Sequence, residues 1–326
     1  MSDTNSSRRV LCAGILVADI FVPPLPSLPA AGELRATEDF LLETGGCAAN
    51  VAVGLARLGV RVSVNGVVGT DVFGDFLINK LRDKRIDTAG IRRTDEFGTS
   101  KTVVLPVIGE DRRFIHTFGA NNAFNDADIA LDSLTEGDIF YIGGLLIMPA
   151  LQGEGVARLC EAARARGITT VLDVVVPVGD ATASMEYLRP MLRHTDIFMP
   201  NDEEAHALTG STDAEAQANY FLSAGCETVV ITQGGNGTLV KNRELTLFAD
   251  TYPIDFVDGS GSGDAFAAGF ITGLTEGWEL KRTLEFASAI GASACTKLGC
   301  TSGVVDRAGA EAMLRDYTLN IVERSV

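Results

Sequence analysis

"VDGSGSGDAFAAGF" (257–270) sets four glycines and two aspartates against the start of an apolar run. Glycine loses more conformational freedom on folding than any other residue, so such a cluster implies a tight bend or a close approach. The residues from Ala265 to Phe270 are apolar and compatible with a helix. A helix that opens at a glycine turn aims unpaired N–H groups and the positive end of its dipole outward, which suits an anion. The turn therefore reads as a phosphate site. Asp264 follows it and has two readings. An acid in the first helical turn favours the dipole and caps the helix. A carboxylate beside a bound phosphate can also take a proton from an attacking hydroxyl. The glycine spacing follows neither the Walker pattern nor the dinucleotide pattern.

Outward from this turn, short β-rich runs alternate with amphipathic helical stretches. Candidate core strands are 10–15, 62–69, 138–143, 169–176, 196–200 and 228–234. Their continuous apolar character reads as burial on both faces. Helical patterns fall at 47–59, 72–84, 153–167 and 214–225. The alternation predicts an α/β fold, a doubly wound and mostly parallel sheet flanked by helices. Two stretches, 33–46 and 99–118, look like strands without helices between them, and the second contains the turn "IGEDRR" of a hairpin. They predict a small β-sheet lid. The expected division is a core of 1–14, 45–98 and 119–326, with a lid of 15–44 and 99–118.

The chain has 326 residues, a hydrophobic share of 46% and a formal net charge of −16. The charge opposes sequence-independent nucleic-acid binding, which draws on Lys and Arg at phosphates. An anionic ligand must then be held locally, by backbone amides, a few basic side chains or a metal. Six scattered cysteines and three histidines give no zinc pattern and read as free thiols in a reducing cytosol. The run after Arg8-Arg9 ends at Asp19 without a convincing cleavage site, and reads as a buried strand rather than a signal peptide. The apolar run 139–151 is too short to span a bilayer. A cytoplasmic protein without a membrane partner is expected.

Three further stretches complete the pattern: "GGCAANVAVGLARLG" (45–59), "MPNDEEA" (199–205) and "TQGGNGT" (232–238). With the D-x-x-G-x-G-D of 258–264, and in this order over nearly the whole chain, they resemble the ribokinase-like (PfkB) family of carbohydrate kinases. The resemblance implies that Asp264 is the base that deprotonates the sugar hydroxyl. It makes Gly261, Ser262 and Gly263 the anion hole for the transferred phosphoryl group. Asn201 and Glu204 match an N-x-x-E that holds Mg²⁺ and phosphate through water. Thr232, Gly234 and Gly237 match a nucleotide turn, and Asp19, Gly45, Gly46 and Asn50 match positions that bind sugar hydroxyls. The segment 296–303, with Gly299 and Gly303, resembles one that encloses K⁺ together with Asp258.

Departures bear on substrate. Gly259 and Ser262 stand where the family motif has threonine and alanine. Asp173 is followed by Val174-Val175-Val176-Pro177, without the arginine of relatives that take acidic sugars or fructose. The resemblance thus implies ATP- and Mg²⁺-dependent phosphorylation of a hydroxymethyl group on a neutral sugar, in a protein that could pair into a homodimer through its lids. A nucleoside kinase of the same fold, or a sugar- or nucleotide-binding regulator without turnover, stays open beside it. Asn50 and Glu204 have an alternative reading as solvated surface. Lys101, Arg112 and Arg113 read either as a solvated hairpin face or as charges that offset the acidic field near a nucleotide.

Overall fold

Val10, Leu11, Cys12 and Ala13 are all fully buried, and they alternate between two apolar clusters. Val10 and Cys12 face one cluster, Leu11 and Ala13 the other. Ile139 and Tyr141 divide from Phe140 and Ile142 in the same way. Covering on both faces is why these strands carry uninterrupted apolar runs. The computed structural model describes residues 8–110, 112–176 and 181–325. Asp111 of the hairpin turn, Pro177 and the first seven residues of the 1–14 segment lie outside the described residues.

In chain order, β1 (Arg9–Gly14) leads to β2 (Val17–Phe21), β3 (Leu41–Gly45) and α1 (Cys47–Arg57). Next come β4 (Arg61–Gly69), α2 (Val72–Asp83), β5 (Asp87–Thr94), and the hairpin of β6 (Lys101–Leu105) and β7 (Arg113–Thr117). The middle holds β8 (Ile139–Leu145), α3 (Gly153–Ala165), β9 (Thr169–Val174) and α4 (Ala181–Leu192). β10 (Ile197–Phe198), α5 (Asp202–Thr209), α6 (Ala214–Ala224) and β11 (Thr228–Thr232) follow. The last part comprises β12 (Thr238–Lys241), β13 (Leu245–Ala249), α7 (Ser262–Glu276), α8 (Leu280–Ala294), α9 (Arg307–Asp316) and β14 (Ile321–Ser325).

Ten strands form the main sheet in the order β14-β13-β12-β11-β10-β9-β8-β1-β4-β5. From β11 to β5 the pairings are parallel, as the alternation predicts. Beyond β11 the sheet continues with three antiparallel strands, which the alternation does not announce. β2, β3, β6 and β7 form a separate four-stranded sheet that fits a lid. Of the expected strand at 33–46 only Leu41–Gly45 pairs; the polar residues before it supply no alternating apolar face to bury.

β1 lies between β4 and β8, so the chain leaves it toward one edge and returns on its other side. In open α/β sheets such a switch opens a crevice beyond the carboxyl ends of the strands. Two helices crowd this crevice. A Cβ at Gly54 of α1 would lie 2.6 Å from the Ala268 Cβ of α7, so glycine lets the two backbones approach closely. That approach carries Asn50 on α1 to Asp264 on α7.

Candidate active site

Gly261 caps α7 with φ 71°, and a Cβ there would lie 2.3 Å from the Cys300 carbonyl oxygen. Only glycine fits, on both counts. The turn it makes delivers Asp264 in the first turn of a largely buried helix. Asn50 Nδ2 donates to Asp264 Oδ2 at 2.9 Å. Asn50 is itself buried, and its Oδ1 has no partner among the described residues. The Cys47 Sγ, an Asp173 oxygen and an Asp264 oxygen all lie within 4.8 Å of one another. Tyr141 Oη donates to Asp173 Oδ2 at 2.9 Å.

Desolvation dominates the electrostatics here. Burial pushes the Asp264 carboxyl up from its ordinary value, against the Asn50 amide and the Cys47 thiol, which favour its charge. Burial also holds Asp173 well above the carboxylate range, and the negative charges of Glu204 and Asp264 add to it. Glu204 is pushed up to about 7 by burial, with the Asn201 N–H opposing. Such a group of carboxyls could hold a hard divalent cation, which prefers oxygen ligands.

Asn201 and Glu204 are tied together by the start of α5. Glu204 N–H donates to Asn201 Oδ1 at 2.8 Å, and Asn201 N–H donates back to Glu204 Oε2 at 2.9 Å. This reciprocal cap fixes both side chains beyond β10. Asn201 also bridges to Thr232 at the end of β11. A cavity of about 660 Å³ opens there, bordered by Asn201, Thr232, Gly234 and Gly237 on one side and Gly259, Ser262 and Gly263 on the other. Tyr252, Ile254, Phe256 and Ala292 give it an apolar wall. The size lies within the range of cofactor and ligand pockets.

The remaining expected residues gather where the small sheet meets α1. Asp19 on β2 is buried, and a Cβ at Gly45 would fall 1.9 Å from its Oδ2, so the bare glycine leaves room for the carboxylate. Burial pushes Asp19 up to about 6, against hydrogen bonds from Thr102 and Cys300. Gly46 is the cap of α1, and Asn50 follows one turn later.

Several neighbours were not singled out by sequence as site residues: Cys47, Tyr141, Asp173 as a member of the cluster, and Arg112. An acid at the carboxyl end of a buried strand was the available signal for Asp173. Arg112, just before β7, donates from Nη1 to Asp258 Oδ1 at 2.9 Å and to Ser260 Oγ at 2.5 Å. It is no solvated hairpin charge. Gly299 N–H donates to Asp258 Oδ2 at 3.1 Å, whereas Gly303 packs against the carbonyls that end α8.

A glycine-bordered cavity at strand ends, near a cluster of carboxyls, suits a phosphoryl-transfer enzyme of the α/β class. The chain belongs to the PfkB family: "pfkB family carbohydrate kinase" matches residues 7–307. It is 27% identical over 305 residues to the ribokinase of Haemophilus influenzae, across 92% of this chain and 96% of that protein. It is 28% identical over 280 residues to the 5-dehydro-2-deoxygluconokinase of Clostridium perfringens, across 82% of each. The solved aminoimidazole riboside kinase of Salmonella enterica superposes with a TM-score of 0.80 at 23% identity, over 94% of this chain and all of that one. No helix of the described residues is long and apolar enough to cross a membrane.

Proposed function

We propose that this kinase transfers the γ-phosphoryl group of ATP to a hydroxymethyl group of a neutral sugar, as a ribokinase- or fructokinase-like enzyme. One observation carries the reading. The half-buried Asp264 carboxylate, oriented by Asn50, stands at the same helix start whose Ser262 and Gly263 border the 660 Å³ cavity. A phosphate chain in that cavity would end beside the carboxylate.

The sugar hydroxyl gives its proton to Asp264 as its oxygen attacks the γ-phosphorus, and ADP leaves with the electrons of the broken P–O bond. Phosphoryl transfer demands mainly positioning and charge stabilisation. The backbone turn at Gly261, Ser262 and Gly263, at the positive end of α7, receives the charge developing on the phosphoryl oxygens. Mg²⁺ bound with the nucleotide neutralises phosphate charge. Asn201 and Glu204 would hold it through water, and their oxygen atoms suit a hard ion. Thr232, Gly234 and Gly237 line the cavity that would take the nucleotide.

Asp19 and the unpaired Asn50 Oδ1 accept sugar hydroxyls, and Gly45 and Gly46 let the backbone come close. An acceptor carboxylate repels an anionic substrate, and no arginine follows Asp173 to offset it. The small sheet closes over the sugar and excludes water, which limits ATP hydrolysis. Phe114 and Ile115 on that sheet, and Phe40 just before it, are exposed, and a second copy of the chain placed there would cover them. The test is Asp264→Asn. It should keep MgATP binding and lose about 10²–10⁴-fold in kcat, the share of a positioned general base. Turnover near the wild-type level would remove Asp264 from the mechanism.

A further inference from the structure

Protein donors already reach the Asp258 carboxylate beside the phosphoryl turn and carbonyls around it. Asp258 Oδ1 accepts from Arg112 Nη1 at 2.9 Å, from Ser260 N–H at 3.1 Å and from Ser260 Oγ at 3.0 Å. Its Oδ2 accepts from Gly299 N–H at 3.1 Å. The Cys295 carbonyl, which ends α8, accepts from Val257 N–H at 2.8 Å and Asp258 N–H at 3.2 Å. On the far side of the segment, Arg57 Nη1 at the end of α1 donates to the Thr301 carbonyl at 2.9 Å and also to the Val304 carbonyl. The Thr301 N–H turns away toward Glu43.

K⁺ on the Asp258 carboxylate would share it with the Arg112 guanidinium and the Gly299 N–H, which both already donate to it. A guanidinium is a permanent cation that brings five donors in a rigid fork, so it satisfies a carboxylate and adjacent hydroxyl at once. It also repels a second cation placed on the same carboxylate. The Arg112 side chain is partly shielded and the Asp258 side chain is only 3% exposed, so solvent screens their interaction weakly.

We propose that Arg112 and Arg57 hold the 258–304 side of the phosphoryl turn in place of a monovalent cation, so that this kinase works without K⁺. The positive charge beside the turn then comes from the hairpin that bears Arg112. This assignment rests on reading 258–264 as the phosphoryl site, but its first test does not need turnover.

That test is the melting temperature of the wild-type protein in KCl, NaCl or choline chloride at equal ionic strength. A bound ion stabilises the native state by mass action, so no K⁺-specific rise is expected, and a saturable K⁺-specific rise overturns the proposal. Wild-type turnover should likewise agree within about twofold among the three salts, since only general screening differs little between them. Activation by K⁺ beyond that overturns it as well. Arg112→Met should lower kcat, and K⁺ but not choline should restore part of the loss. A folded Arg112→Met enzyme with wild-type turnover would contradict the role of Arg112. If that variant does not fold, the wild-type melting series decides alone.

Discussion

The two halves of the crevice are built from different materials. On the nucleotide side, glycines at 234, 237, 259 and 263 and the ends of β10 and β11 border an open cavity of about 660 Å³. On the acceptor side, side chains dominate: the buried Asp19 and Asn50 and the half-buried Asp173 and Asp264, with Tyr141 and Cys47 packed among them. In the proposed function the first half works through backbone and dipole, which exist as soon as the chain folds. The second half would work through carboxyls that burial pushes toward protonation, an electrostatic cost that a bound ligand or cation would relieve.

This difference can be broken from the nucleotide side with Gly261→Ala. The added Cβ meets the Cys300 carbonyl at 2.3 Å, and φ 71° disfavours any side chain. Displacing the turn should cost about 10²–10³-fold in kcat, comparable to losing one preorganised donor, with little change in the sugar KM. A variant that changed the sugar KM instead would place the turn on the acceptor half.

Asn50→Leu sharpens the comparison at the seam. The Asn50 amide favours the charged form of Asp264, so its loss should raise the Asp264 pKa further. The acid limb of kcat/KM then moves to higher pH, and activity on that limb falls by about tenfold for each unit moved. An unmoved limb would detach Asn50 from the base.

The smallest effect concerns stability. Asp19 titrates at its ordinary 3.8 in the unfolded chain and at about 6 in the folded protein. Between those values the folded state holds the extra proton, so stability falls as pH rises through the window. Asp19→Asn removes that loss. In urea unfolding without ligand, the variant should gain on the order of 2–3 kcal/mol relative to wild type above the window, and less within it. An advantage that does not grow with pH would mean that Asp19 is not strained by burial.

The same contrast governs what the sequence discloses. The nucleotide half is contiguous in sequence: turns at 232–238 and 257–264 carry their glycines at short spacing, and the buried strands before them announce their periodicity. The parallel core and the small sheet were legible for the same local reason. The acceptor half assembles residues from 19 to 300, and Asn50 meets Asp264 across 214 positions. Nothing local marks Cys47 or Tyr141 as neighbours of Asp173, because only the packing of α1, β8 and β9 brings them together. Arg112 is the clearest case. On a polar hairpin it looks like solvated charge, and its partner Asp258 lies 146 residues away.

The most direct measurement of the central claim is sugar-dependent ADP release by the wild-type enzyme, compared across acceptors as kcat/KM. Ribose, fructose and an adenosine-like nucleoside would be set against fructose 6-phosphate and 2-keto-3-deoxygluconate. The buried Asp19 carboxylate and the missing arginine after Asp173 should give the highest kcat/KM to a neutral sugar. The highest value for the phosphorylated sugar or the sugar acid, or no ADP release with any of the five, would contradict the account.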